Sequence, residues 1–159
     1  MEQKPQLVIL RVAQALPGVL TGSGLSSSTT VNLTSEGSSD WAHWSGYDHK
    51  SSGGSKISNY TVVGNWYRVE LHHRSSYLLL GDGTPTASGS NKNGIYITGI
   101  AKGFQITAPA DLTQRTLKVY VGGSISGGTF TASLSDGSAP NYVNSSFSSG
   151  SGRYNAVYT

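Results

Sequence analysis

Aromatic and polar side chains are densest in the stretch DWAHW, residues 40–44, which is followed by Tyr47. Flat aromatic rings stack on the apolar faces of sugar rings, while Asp and His side chains hydrogen-bond to sugar hydroxyls, so this stretch predicts a sugar-binding platform. In a strand, Trp41 and His43 would share one face and Trp44 would lie on the other, so only one tryptophan could point into the core. The alternative is that both tryptophans are structural, one in the core and one covering an end of the fold.

The second candidate site is the stretch NWYR, residues 65–68, together with Tyr77. In the predicted strand 66–71, Trp66, Arg68 and Glu70 share one face and Tyr67 lies on the other. A ligand bound across the concave face of a sheet would contact such a row. The alternative is a surface salt bridge between Arg68 and Glu70. The two groups together give the candidate ligand-binding residues Trp41, His43, Trp44, Tyr47, Trp66, Tyr67 and Arg68.

The histidines do not have the spacing of a metal site. His72 and His73 are adjacent, so in a strand they point to opposite faces, and His43 and His49 are six residues apart. Zinc needs three or four convergent ligands, and the chain has no cysteine to supply them. We therefore expect no cofactor. A structural calcium ion held by loop carboxylates stays open, although the aspartates form no Asp-x-Asp run.

Catalytic patterns are weak in this chain. Its eight acidic residues offer few pairs for glycoside hydrolysis, and it has neither a Gly-x-Ser-x-Gly elbow nor a cysteine nucleophile. We expect the protein not to be an enzyme. A small hydrolase would require two acidic side chains that face each other in a cleft.

The composition narrows the class of protein and its partners. Ser, Thr and Gly make up 61 of 159 residues, charged residues are 12%, and the net charge is +3. Lys and Arg occur singly in the body of the chain rather than in runs, so no nucleic-acid partner is expected. No window is apolar enough for a membrane span. The uncharged polar composition is typical of a secreted, extracellular protein.

Short segments of alternating apolar and polar residues predict an all-β fold, an antiparallel β-sandwich that is jelly-roll-like. In 129–134, for example, Phe130, Ala132 and Leu134 share one face. The predicted strands are Leu7–Val12, Val31–Thr34, Tyr60–Val63, Trp66–Leu71, Tyr77–Leu80, Ile95–Ile100, Phe104–Thr107, Thr116–Val121, Thr129–Leu134 and Arg153–Tyr158. The predicted turns are Asp82-Gly83, Asn93-Gly94, Gly122-Gly123, Gly127-Gly128 and Asp136-Gly137.

Three regions follow from the composition along the chain. Residues 1–20 are an N-terminal extension with a predicted strand at 7–12, residues 21–30 are a Gly/Ser/Thr linker, and residues 31–159 form the β-sandwich.

Three stretches, VNLTSEGSSDWAHW (31–44), KGFQITAPADLTQRTLKVYVGG (102–123) and ASLSDGSAP (132–140), resemble a jelly-roll accessory module of large secreted bacterial proteins. The resemblance covers residues 31–159. It implies a non-catalytic module, similar in kind to carbohydrate-binding modules, that occurs beside carbohydrate-active or adhesive domains. Similar modules continue with a further C-terminal strand, and we expect the strand at 7–12 to fill that place in its own chain or in a neighbour's.

Two functions are therefore expected as alternatives. The first is a non-catalytic extracellular carbohydrate-binding module that binds a polysaccharide or glycan through exposed aromatic side chains. The second is a structural or adhesive β-sandwich domain of a secreted or self-assembling protein, which contacts neighbouring domains or like subunits through its sheet edges. Solvent exposure of at least one tryptophan beside polar side chains would distinguish the first from the second.

Overall fold

The computed structural model describes residues 6–13, 18–27, 30–53, 55–64 and 70–159. Fourteen strands and one helical turn, α1 (Leu33–Glu36), form the described part of the chain. The strands before residue 81 are β1 (Gln6–Ala13), β2 (Gly24–Ser26), β3 (Val31–Asn32), β4 (Ala42–His43), β5 (Asp48–Lys50), β6 (Thr61–Val63) and β7 (Glu70–Leu80). Those after it are β8 (Gly83–Thr84), β9 (Gly89–Tyr96), β10 (Gly103–Pro109), β11 (Val119–Ser124), β12 (Gly128–Leu134), β13 (Tyr142–Asn144) and β14 (Arg153–Tyr158).

The described strands form four sheets, which confirms the predicted all-β class. The largest has the order β13-β12-β1-β10-β6, and the others are β11-β14-β2, β3-β7-β9 and β4-β5-β8. Pairing is antiparallel except that β1 runs parallel to both of its neighbours and β3 runs parallel to β7. No helix in the described ranges is long and apolar enough to cross a membrane.

The N-terminal segment is part of the largest sheet. Strand β1 contains the predicted strand at residues 7–12 and pairs within its own chain, with Leu7 opposite both Gly103 of β10 and Thr129 of β12. The segment predicted as a linker also contributes a strand, because β2 pairs with β14. Ser23 and Thr159 extend that pairing with two backbone hydrogen bonds of 2.8 and 3.0 Å.

The first hydrophobic core joins the five-stranded sheet to the sheet β11-β14-β2. Strand β12 contributes Phe130 and Ala132, β10 contributes Ile106, and the facing sheet contributes Val119 and Tyr158. The rings of Phe130 and Tyr158 stack with centroids 4.3 Å apart. The alternation predicted for residues 129–134 therefore does place one face of β12 in a core.

A second core lies under the sheet β3-β7-β9. It contains Val31 of β3, Leu33 of α1, Trp41, and Leu78 and Leu80 of β7. Each of these side chains is at most 8% exposed. The two cores meet the opposite faces of β11, since Val119 belongs to the first and Tyr120 of the same strand packs against the second.

Two of the predicted turns are wrong. Asn93-Gly94 and Gly122-Gly123 lie inside β9 and β11 instead of between strands. At the second pair the reason for glycine is close contact with β14 and not turn geometry. A Cβ on Gly122 would lie 2.9 Å from Oδ1 of Asn155, and one on Gly123 would collide with the ring of Tyr154.

Two other predicted turns are present. Gly137 has φ +68°. Its backbone N–H donates a hydrogen bond of 3.1 Å to the Leu134 carbonyl, which closes the turn. Asp82 has φ +52° between β7 and β8. Asp and Gly are among the residues that tolerate this left-handed backbone.

Candidate functional site

A cleft of about 540 Å³ lies along β9 and β11. Consecutive residues 93–99 and 116–124 line it. Side chains alternate between the faces of a strand, so an unbroken run of residues reaches one cavity only where the edge of the strand borders it. The strand pairing agrees with this geometry, because among the strands that the structure describes β9 pairs with β7 alone and β11 pairs with β14 alone. The cleft thus offers backbone as well as side-chain groups.

One wall of the cleft is aromatic. Trp44, Tyr60 and Phe104 line it together with Ile57. The rings of Tyr60 and Phe104 meet edge to face, with centroids 5.3 Å apart and an interplanar angle of 81°. Trp44, Tyr60 and Ile57 pack against the first core, which supports this wall. Such a wall offers the apolar surface on which the C–H face of a sugar ring stacks.

Trp44 is half-buried in this wall, and its polar atom has no partner. The indole Nε1 is buried and forms no hydrogen bond to any residue that the structure describes. A buried indole N–H usually has a hydrogen-bond acceptor, and its absence is costly to the fold. An acceptor supplied by a ligand would satisfy it.

Trp41 lies in the second core and is 3% exposed. Its Nε1–H donates a hydrogen bond of 3.0 Å to Oδ1 of Asp82. Trp41 was predicted either to form a sugar-binding platform or to be structural, and the structure shows it in the core. The alternation predicted for residues 41–44 holds, but the two tryptophans pack against different cores instead of one core and the solvent.

His43 is also buried, with 4% exposure, and its ring is committed to protein partners. Nε2 lies 2.7 Å from the carbonyl oxygen of Asn93, and because a carbonyl only accepts, Nε2 carries the proton. Nδ1 lies 3.7 Å from the Asp48 carboxylate. The side chain thus ties β4 to β9 and positions one wall of the cleft, while its polar atoms are already engaged.

Tyr47 does not line the cleft. Its hydroxyl donates a hydrogen bond of 3.0 Å to the carbonyl of Ile57, and its ring lies 5.2 Å from that of His49. This residue lies in the loop between β4 and β5 and ties that loop to Ile57. The other three predicted ligand-binding residues, Trp66, Tyr67 and Arg68, lie outside the described residues.

Asp40 borders the aromatic wall and holds two loops together. Its Oδ2 accepts the backbone N–H groups of Lys56 at 2.8 Å and Ile57 at 2.9 Å, and its Oδ1 accepts that of Trp41 at 2.9 Å. The carboxylate therefore positions Ile57 in the wall.

An ion pair marks one end of the cleft. Nζ of Lys118 lies 2.7 Å from Oε2 of Glu36, and the hydroxyl of Tyr120 donates to the same oxygen at 2.6 Å. The hydrogen bond from Lys118, followed by that from Tyr120, lowers the pKa of Glu36. These contacts join α1 to β11, and the charges of Lys118 and Glu36 neutralise each other.

The other end of the cleft is polar. Arg153 and Asn155 of β14 line it beside Gly122 and Ser124 of β11. The register places Gly122 opposite Asn155 and Ser124 opposite Arg153. These residues were not among the predicted site residues, because only the pairing of β11 with β14 brings them together.

Metal-binding geometry is not found in the described ranges. No group of three or more His, Asp or Glu side chains there is close enough to hold a metal ion. The carboxylates of Asp40 and Asp82, which loop calcium sites would use, bind backbone N–H groups and the Trp41 and Lys50 side chains.

Comparison with known proteins gives no relative. No protein-family model matches the chain, and no curated protein or solved structure matches it.

Proposed function

We propose that this protein is a non-catalytic carbohydrate-binding module that binds a glycan in the cleft along β9 and β11. The observation that carries the proposal is the aromatic wall around Trp44, whose buried indole N–H has no partner among the described residues. An apolar platform with a few convergent polar groups is the usual construction of a sugar site.

The shape of the cleft supports a chain-like ligand. Strand β11 rises about 3.4 Å per residue, so the six residues Val119–Ser124 extend for about 17 Å. This length accommodates several sugar rings in a row. The backbone groups along the two strand edges are suitable partners for sugar hydroxyls, which both donate and accept hydrogen bonds.

The carboxylates in the cleft support a binding role over hydrolysis. Glu36 is paired with Lys118 and Tyr120, and Asp40 accepts three backbone N–H groups. A retaining or inverting glycosidase requires one carboxyl group that gives up a proton and another that is free to attack or to activate water. Secretion and an extracellular setting, which the composition favours, belong to the same proposal.

The experiment is a calorimetric titration of the protein with soluble glucan, xylan, mannan, galactan and uronic-acid polysaccharides. We expect saturable binding to at least one of them. Trp44→Phe keeps an aromatic ring but removes the N–H, and should weaken that binding about tenfold, the effect of one hydrogen bond. Trp44→Ala should weaken it further.

Tyr77→Ala is the matched control. Tyr77 is 49% exposed on β7 and does not line the cleft, so its removal should leave the affinity unchanged. Equal losses in the Trp44 and Tyr77 variants would place binding elsewhere. The absence of binding to every polysaccharide would overturn the proposal.

A second function, a structural or adhesive domain, is favoured by the outer strands of the five-stranded sheet. Val143 of β13 is 58% exposed and Val62 of β6 is 38% exposed, at the two ends of the strand order. Exposed β-branched residues on an outer strand favour pairing with another chain. Light scattering after size-exclusion chromatography tests this function, because Val143→Lys should then dissociate an assembly that the parent protein forms.

A further inference from the structure

We propose that the glycan bound in the cleft is acidic, and that the polar end formed by Gly122, Ser124, Arg153 and Asn155 receives the carboxylate of a uronic acid residue. This inference rests on the proposed function, since it names the class of glycan that the same cleft binds. Its basis is the charge and the register at that end.

The register brings the four residues to one face of the sheet. Gly122 lies opposite Asn155 and Ser124 lies opposite Arg153 in the antiparallel pair β11–β14. Residues directly opposite each other point to the same face, as do residues two apart on one strand. A guanidinium, a carboxamide and a hydroxyl therefore share a face with Gly122, which has no side chain and against which Oδ1 of Asn155 packs.

Two charged side chains of the cleft have no counter-ion among the residues that the structure describes, Asp40 beside the aromatic wall and Arg153 at this end. In the described part of its lining, the charged residues other than histidine are Glu36, Asp40, Lys118 and Arg153. Lys118 is paired with Glu36, and the oxygens of Asp40 accept three backbone N–H groups. Arg153 forms no ion pair with any residue that the structure describes, and its side chain is exposed.

Arginine is the side chain best suited to a carboxylate. Its planar guanidinium donates two parallel hydrogen bonds to the two carboxylate oxygens, and these charge-assisted bonds are about twice as strong as neutral ones. Asn155 and Ser124 can donate to the ring or hydroxyl oxygens of the same sugar. A neutral glycan would leave the guanidinium without its preferred partner, which is why the acidic class is favoured.

The test compares chemically matched ligands. Galacturonan, mannuronan and glucuronan are titrated beside their carboxyl-reduced forms, in which each carboxylate has become a hydroxymethyl group and the linkages are unchanged. We expect at least one acidic form to bind about tenfold or more tightly than its reduced form. Added salt should weaken binding of the acidic form only.

The variants locate the effect. Arg153→Gln should abolish the preference, so that the ratio of the affinities for the acidic and the reduced form falls to about one. Lys92→Gln is the matched control, since Lys92 carries the same charge, lies over the ring of Tyr77 at 4.2 Å and does not line the cleft. It should retain the full preference. An equal loss in both variants would show a general charge effect and would overturn the inference.

The two proposals fail in different ways. If the parent protein binds acidic and reduced forms equally, and Trp44→Phe weakens both, the uronate inference is wrong while the proposed function stands. Binding of neutral glycans alone would also overturn the uronate inference and leave the proposed function in place. If no glycan of either kind binds, both proposals are wrong.

Discussion

The indole N–H of Trp41 donates a hydrogen bond of 3.0 Å to the carboxylate of Asp82, which is 41 residues further along the chain. The same carboxylate forms an ion pair with Lys50, and the Asp82 carbonyl accepts from the backbone and the hydroxyl of Ser51 at 2.8 and 2.7 Å. The turn that follows β7 is thereby fixed to the loop after β5. Trp41 serves this connection and the second core, and although both tryptophans line the cleft, Trp44 is the one whose N–H has no partner in the described part of the chain.

Truncation of Trp41 should destabilise the fold. Trp41→Ala removes a large buried ring and should lower the free energy of unfolding by about 3–5 kcal/mol, measured by urea denaturation. Asp82→Ala should destabilise the parent protein but have a smaller effect when Trp41 is already Phe, because each change removes the same hydrogen bond. Strictly additive effects in this cycle would contradict the connection.

Gly83 lies against the edge of Trp41 and has no room for a side chain. A Cβ there would collide with the carbonyl oxygen of Thr86 and lie 2.7 Å from Cη2 of Trp41. Gly83→Ala should therefore cost about 1–3 kcal/mol of unfolding free energy. Gly46→Ala is the control, because nothing lies within 4 Å of its Cβ position. Equal denaturation midpoints for the two variants would contradict the close contact between Gly83 and the Trp41 ring.

The Asp40 carboxylate should hold the wall of the cleft in place, because it accepts three backbone N–H groups. Asp40→Asn replaces one accepting oxygen with a donor, leaves at least one backbone N–H without its partner, and should lower the unfolding free energy by about 1–3 kcal/mol. Hydrogen exchange should accelerate at the amides of Lys56 and Ile57, which donate to Oδ2 at 2.8 and 2.9 Å. Unchanged exchange at both amides would contradict the assigned role.

Alkaline pH should destabilise the protein through Tyr158. Burial, followed by the neighbouring Tyr154 and Tyr142, raises the pKa of Tyr158 from 10.0 to about 12. The folded state therefore holds this proton more tightly than the unfolded chain does. The stabilisation is fully present below pH 10 and is lost as the pH rises toward 12, on the order of 1–2 kcal/mol.

Denaturant titrations between pH 9 and pH 12 measure this loss. Tyr158→Phe cannot ionise at this position, so its stability should decline less steeply over the same range. In an alkaline titration followed by phenolate absorbance, the variant should show one fewer tyrosine with a raised pKa than the parent protein does. Identical slopes for the parent protein and the variant would exclude Tyr158 as the cause.

Local pattern predicted much of the fold. The alternation of Phe130, Ala132 and Leu134 placed all three side chains inside, and the predicted strand 153–158 has the bounds of β14. Alternation succeeds there because one face of each strand is buried. The glycine pair at 122–123 was wrongly predicted as a turn because close contact with β14 and turn geometry both select glycine, and sequence does not distinguish them.

The site was less predictable than the fold. The stretch DWAHW pointed to Trp44, which does line the cleft, but the assignment of Trp41 to the core depends on Asp82, a residue 41 positions away. Arg153 and Asn155 carry no local signal at all. Their relation to Gly122 and Ser124 comes from the register between two strands, which is a long-range property of the fold.

The most direct test of the central claim is the indole N–H resonance of Trp44 during titration with a glycan that binds. Three indole signals can be assigned with Trp→Phe variants and followed in ¹H–¹⁵N spectra. We predict that the Trp44 signal shifts in proportion to saturation and gains protection from exchange, because the ligand supplies the missing acceptor. The exchange rate of the Trp41 N–H should not change, because Asp82 already accepts its hydrogen bond. A Trp44 signal that is unchanged at full saturation would contradict the account.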